Sequence, residues 1–318
     1  MRPVRAMPWP GPGRITLALL AVVPAVMAYP WQSTRDYWLI GIAAVAVIVL
    51  FGWWRGLHFT TILRRRLAML RRRGDLAGRA AEPATGVRTT AVVRVAPAAD
   101  DQDVLPLPTI ARYLDCYGVR ADKIRITSRN NASDARQTWI GLTISAVDNL
   151  EALQARSSRI PLQETAQVAA RRLADHLREL GWEASAIAPE EVPPLLDSVT
   201  RETWTAVAED GSNYVAAYQV SADDALPHTL GTIRSHPARE TWTAVEIGGE
   251  PSRYTVAAAC AFRTEEQPGD AAPLSGLIPQ RGNHGPALMA LDPLSTRRLD
   301  GHTDAPADLL VRLAVSRT

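Results

Sequence analysis

Asp101-Gln102-Asp103 has the spacing with which nucleotide-sugar transferases hold a divalent metal: two carboxylates from one loop, one residue apart. The tripeptide sits in a stretch rich in Pro, Ala and Asp, and nothing else in the sequence builds a metal site around it. The six histidines, His58, His176, His228, His236, His284 and His302, show no metal-ligand spacing. His176 falls near an apolar helical stripe and reads as a packed side chain. Cys116 and Cys260 are far apart, with no CxxC or Cys/His cluster, so neither a structural zinc nor a disulfide framework is expected. Glu190-Glu191 and Asp223-Asp224 read as solvated charge or helix starts. A single lysine, Lys123, stands against 34 arginines, and it lies between Asp122 and Ile124. A P-loop needs Gly-Lys-Ser/Thr, so the chain carries no such ATPase motif. HExxH, GxSxG and GxGxxG are absent too. No catalytic, cofactor or metal residue is therefore assigned; a membrane-tethered nucleotide-sugar transferase, or its degenerate descendant, is kept as the alternative reading.

The elements that position these residues begin with two uncharged runs, Ile15–Tyr29 and Trp38–Trp54. Each is near the lower length limit for crossing a bilayer. A signal peptide ending at Ala28 is the rival for the first run; the second run, only eight residues later, favours a retained hairpin. The expectation is a two-helix transmembrane hairpin over 15–54, after a 1–14 cytosolic tail. Trp31, Trp38, Trp53 and Trp54 would anchor it at the headgroups of the lipid bilayer. Eight arginines fall between Arg55 and Arg79, including Arg64, Arg65, Arg66 and Arg71, Arg72, Arg73. The positive-inside rule then puts both termini and the main domain in the cytoplasm of an inner-membrane protein. Residues 55–79 read as a basic juxtamembrane helix that serves as a lipid or partner grip, or as a plain topology signal. Nucleic-acid binding is disfavoured, because no aromatic residues interleave the arginines.

Residues 87–265 read as a cytosolic α+β (mixed α/β) domain with repeated β-hairpins flanked by helices. Lys123–Ser128 and Thr138–Ser145 alternate like paired strands. Ala166, Ala170, Leu173, Leu177 and Leu180 form an apolar stripe over a helix at Gln163–Leu180. RETWTAV occurs at 201–207 and again at 239–245, with a shorter RQTW at 136–139. The two copies open hairpins over 201–220 and 239–263. Trp139, Trp204 and Trp242 are assigned to the repeat core, each Trp of the two full copies sharing a strand face with a following Ala. Arg201-Glu202 and Arg239-Glu240 either keep strand ends soluble or touch a neighbouring subunit. Residues 266–318 are rich in Pro and Gly yet carry many apolar residues, so they must dock on the body or on a partner.

Taken together, the short hairpin around PWQST, then WWRG, RRRLAMLRRR, VDNLEALQARSSRIPLQET, RRLADHLRELGW, the two ETW hairpins and RGNHGPALMALDPLSTRRL resemble the EccE family. These are membrane components of the mycobacterial type VII (ESX) secretion system, and the third, metal- and siderophore-linked, ESX system supplies the nearest likeness. The resemblance covers nearly the whole chain. It implies a non-enzymatic structural subunit of the inner-membrane core complex, beside EccB, EccC (the ATPase) and EccD. It implies no cofactor and transfers no catalytic residue.

Overall fold

The computed structural model describes residues 12–27, 29, 34–51, 53–54, 57–72, 87–97, 105–131, 134–157, 159–196, 199–209, 213–250, 252–306 and 308–315. The chain divides into two units, Met1–Arg71 and Arg72–Thr318.

In the first unit, α1 (Pro12–Met27) and α2 (Thr34–Phe51) pack on each other. Small residues make the contact: Ala18, Ala25 and Ala43 are buried, while Leu20, Met27, Ile42 and Ile48 are exposed. The short strands β1 (Trp53–Trp54) and β2 (Leu57–His58) pair before α3 (Phe59–Arg72). The expected transmembrane hairpin is not found: among the described residues, no helix is long and apolar enough to cross a membrane. Helix α1 has 16 residues. At 1.5 Å per residue that is about 24 Å, against about 30 Å of hydrocarbon. Helix α2 has 18 residues but begins Thr34-Arg35-Asp36, so charge enters its first turn. The two-span topology, and the placement of both termini in the cytoplasm, lose their basis with it. The fold is instead a large antiparallel sheet with several helices.

That sheet fills the second unit. Its strands are β3 (Arg88–Pro97), β4 (Asp115–Cys116), β5 (Val119–Asn131), β6 (Asp134–Ser145), β7 (Trp182–Ile187), β8 (Val199–Glu202), β9 (Val207–Glu209), β10 (Tyr214–Val220), β11 (Glu240–Glu250), β12 (Arg253–Thr264), β13 (Leu277–Pro279) and β14 (Thr303–Asp304). The main path runs β7-β3-β6-β5-β11-β12-β10-β9-β8. Two hairpins, β5–β6 and β11–β12, meet at its centre along the antiparallel β5–β11 seam, from Lys123 opposite Gly248 to Asn131 opposite Glu240. The period-2 alternation of each strand sorts side chains onto two faces.

One face carries Ile124 and Ile126 of β5, Ile140 and Leu142 of β6, and Val256, Ala258 and Cys260 of β12. It packs against α4 (Leu107–Ala111), α6 (Leu162–Glu179), α7 (Leu226–Arg234) and α9 (Leu309–Val315). In α6 the buried positions Ala166, Ala170, Leu173 and Leu177 recur at steps of four and three. α5 (Leu150–Gln154) lies at the end of β6. Helix α4 passes into a 3-10 turn at Arg112–Leu114, then into β4.

The opposite face carries Trp139, Trp242, Ala244 and Ala261, and is covered by α8 (His284–Leu291) and the strap that follows it, through Leu288, Leu291 and Leu299. Gly141 marks how closely the strap approaches. A Cβ there would lie 2.4 Å from the Pro293 carbonyl oxygen.

The two copies of RETWTAV are not built alike. In the second copy, Glu240–Val245 runs unbroken in β11. In the first, the chain leaves β8 at Glu202, and Thr203 closes a turn by donating both its N–H (2.7 Å) and its hydroxyl (2.8 Å) to the Ala206 carbonyl before β9 begins.

Candidate functional site

The polar constellation with the greatest density of buried charge lies on the strap-covered face. On β5, Lys123, Arg125 and Thr127 alternate with Ile124 and Ile126, so every second residue points away from the helices. Glu246 of β11 points the same way, and all of these side chains are buried. Arg125 donates from Nη2 (2.6 Å) and Nε (3.0 Å) to Glu246 Oε2. Lys123 Nζ lies 3.4 Å from the same oxygen. The other carboxylate oxygen accepts from the Leu299 backbone N–H at 3.2 Å and meets His302 Nε2 at 2.9 Å. His302 Nδ1 contacts Thr255 Oγ1 at 3.1 Å.

The cations also bind the strap's backbone. Arg125 Nη1 donates to the carbonyls of Asp292 (2.8 Å) and Ser295 (3.2 Å). Arg125 Nη2 and Lys123 Nζ both donate to the Arg297 carbonyl. Arg298 closes the edge, donating to Asp122 Oδ1 at 2.7 Å and to its carbonyl at 2.9 Å. Three strap carbonyls and the Leu299 N–H are thus satisfied by side chains of the sheet, as buried backbone must be.

Electrostatics follow from this packing. Burial pushes the Glu246 carboxyl up, but the His302 hydrogen bond and the charges of Arg125 and Lys123 outweigh it and hold the pKa at about 2. Burial, then the neighbouring Arg125 charge, draws Lys123 down to about 7, with Glu246 opposing. Burial raises Asp292. The arrangement is a latch: a charge cluster that clamps a passing segment.

A second network ties the sheet together further along the seam. Glu240 pairs with Arg129 and, at 3.1 Å, with Arg263. Arg263 also reaches Glu209 at 3.2 Å and the Leu195 carbonyl at 2.7 Å. Both glutamates of the repeat are therefore used within the chain, since Glu202 accepts from the Gly285 N–H at 3.0 Å, at the start of α8.

Of the residues singled out in the sequence, Trp139 and Trp242 meet. Their rings stack 5.7 Å apart at 14°, with the Arg129 guanidinium 5.7 Å from the Trp242 centroid. Trp204 is half-buried in the turn between β8 and β9. Trp38 lies exposed on α2. Trp53 and Trp54 form β1, opposite His58 and Leu57. Arg64, Arg65, Arg66, Arg71 and Arg72 lie on α3, with Arg64 and Arg66 exposed. Trp31, Arg73 and the Asp101-Gln102-Asp103 tripeptide lie outside the described residues. Among the described residues no three His, Cys, Asp or Glu side chains group to hold a metal. The latch was missed in the sequence because K-I-R-I-T reads as an apolar face backed by solvated charge. The available signal was the excess of apolar residues at 274–294, a segment in need of a surface.

A family model described as "Putative type VII ESX secretion system translocon, EccE" matches residues 132–256. The ESX-3 secretion system protein EccE3 of Mycobacterium tuberculosis is 66% identical over 308 residues, covering 96% of this chain and 92% of that one. The chain belongs to the EccE family. The EccE3 protein of Mycolicibacterium smegmatis is 49% identical over 304 residues, 95% of this chain and 94% of its own. As an EccE-family member the chain is a component of an ESX type VII secretion system, with partners inside that complex. Among solved structures, an anthrone oxidase-like protein aligns with 70% of this chain and 94% of its own, at a TM-score of 0.22 and 10% identity, too distant to argue a shared fold. The residues matched by the EccE model hold Trp139, Trp242 and Glu246, but neither Lys123 nor the strap.

Proposed function

We propose that this EccE-family chain is a non-enzymatic structural subunit of the secretion core complex, packing beside EccB, EccC and EccD at the inner membrane. The observation that carries the reading is where the chain spends its charge. The Lys123–Arg125–Glu246–His302 cluster turns inward, and its hydrogen bonds hold the chain's own strap rather than framing an open cleft. Transport energy then comes from the ATPase subunit. In the first unit, the exposed apolar side chains of Leu20, Met27, Ile42 and Ile48 are covered in the assembled complex, and the arginines of α3 supply a basic surface for lipid headgroups or acidic partner segments.

The test is affinity purification of the intact complex through a C-terminal tag on this chain. Co-purification of EccB, EccC and EccD in fixed ratio is expected. Recovery of the chain alone, from membranes in which those three are present and assembled, sinks the proposal.

A further inference from the structure

The helical face of the sheet is not filled throughout. Helix α6 buries Leu162, Ala166, Ala170, Leu173, Ala174 and Leu177, while Ala169 is only half-buried. Where Thr165, Val168 and Ala169 of α6 face strands β5 and β6, the packing leaves a cavity of about 300 Å³. Its floor is Val119, Ala121, Leu142 and Ile144, and Val168 and Ala169 form the α6 wall. Protein interiors are close-packed, so an opening of this size under one helix is a feature to be explained. It is about twice the engineered apolar cavity of roughly 150 Å³ that admits benzene, which gives room for an apolar body of about a dozen heavy atoms.

The cavity opens to solvent among groups of distinct character. Arg156 and Arg172 are exposed lining residues, set against one carboxylate, Glu164. Tyr117 stands beside them, 62% exposed, with the Arg172 guanidinium 4.6 Å from its ring centroid. Tyr117 and Gly118 have φ of 55° and 68°, a two-residue left-handed turn joining β4 to β5. Such turns favour Asn or Asp before Gly, and a bulky residue at positive φ is strained. Here the position places an aromatic ring at the opening, edge-on to Tyr113 at 6.5 Å. Arg156 reaches across to this turn, donating to the Tyr117 carbonyl at 3.5 Å.

We infer that this cavity binds one anionic amphiphile, its apolar body against Val119, Leu142, Ile144 and Val168 and its carboxylate or phosphate at Arg156 and Arg172. A medium-chain carboxylate and an anionic lipid, with its headgroup at the arginines and one acyl chain in the cavity, present the same chemistry. Binding of decanoate to the full chain, followed by titration calorimetry, is expected to saturate at one per chain. 1-Decanol, with the same apolar body and no charge, is expected to bind at least tenfold more weakly. Arg172→Glu lies on the exposed face of α6 and should weaken decanoate about tenfold while leaving decanol unchanged. Ala169→Phe fills the cavity and should abolish both. Calorimetry with a short-chain, monomeric phosphatidylglycerol separates the sources: saturable binding that Ala169→Phe abolishes identifies lipid, whereas saturation by decanoate alone identifies the free acid. Absence of saturable decanoate binding, or binding that survives both substitutions, overturns the inference. Should Ala169→Phe fail to fold, the decanoate-to-decanol ratio of Arg172→Glu still decides it.

Discussion

The Trp139 and Trp242 rings stack across β5, 5.7 Å apart and 14° from parallel, although they belong to the two different central hairpins. The stack and the β5–β11 seam therefore join the same halves of the sheet. Trp242→Ala should cost about 3–5 kcal/mol, by removing a large buried ring and leaving a cavity beneath the strap. Trp204, half-buried in its turn, gives up less area, and its replacement by Ala should cost clearly less. Urea unfolding of both variants checks the order.

Arg125 is the hub of the latch, joining Glu246 to the carbonyls of Asp292, Ser295 and Arg297. Arg125→Met would leave a buried carboxylate and strap carbonyls without this partner. A loss of about 3–5 kcal/mol is expected, the usual cost of breaking a buried pair from one side. Replacing Arg125 and Glu246 together by apolar residues of similar volume should recover part of it. Limited proteolysis between residues 292 and 304 should report the same order.

Stability at acid pH depends on Glu246. Its carboxyl sits near pKa 2 in the folded chain against 4.5 for the free group. The unfolded chain binds the proton first, so this stabilisation is complete above pH 4.5 and is lost as pH falls through about 2. The shift is equivalent to about 3 kcal/mol. The gap in unfolding free energy between wild type and Glu246→Gln should close over that window. Lys123 acts at the other end: held near 7 against 10.5, it binds its proton in the unfolded chain first. Stability should rise with pH between about 7 and 10.5, and Lys123→Met should flatten that limb.

Gly141→Ala tests the strap's approach directly. The new methyl group would meet the Pro293 carbonyl at 2.4 Å and Thr90 Cγ2 at 3.3 Å. Backbone has to move, at about 1–3 kcal/mol. Faster amide exchange at 294–299, with exchange in α6 unchanged, is the expected signature.

How much of this was legible in the sequence differs from element to element. Helix α6 was, because Ala166, Ala170, Leu173 and Leu177 repeat with helical spacing and nothing in tertiary structure contradicts it. The β5–β6 hairpin was legible from alternation. The first-copy turn at Thr203–Ala206 was not, because RETWTAV is identical in both copies; only tertiary partners, such as the Gly282 N–H donating to the Trp204 carbonyl at 3.0 Å, distinguish them. The N-terminal hairpin was misjudged as membrane-spanning because its uncharged runs already stood near the lower length limit, and the helices formed there are short in α1 and take in Arg35 and Asp36 in α2. The latch stayed hidden because Lys123 and Glu246 are 123 positions apart, and the segment covering them lies about fifty residues further on.

The strap also sets an order of events during synthesis. The sheet strands through β12 leave the ribosome before residues 292–302 exist, so Lys123, Arg125 and Glu246 first meet one another with water in the place of the strap's carbonyls. Until then Arg125 and Lys123 lack the carbonyl partners that hold them in the finished body. Only the arrival of Leu299 and His302 gives the second oxygen of Glu246 its partners.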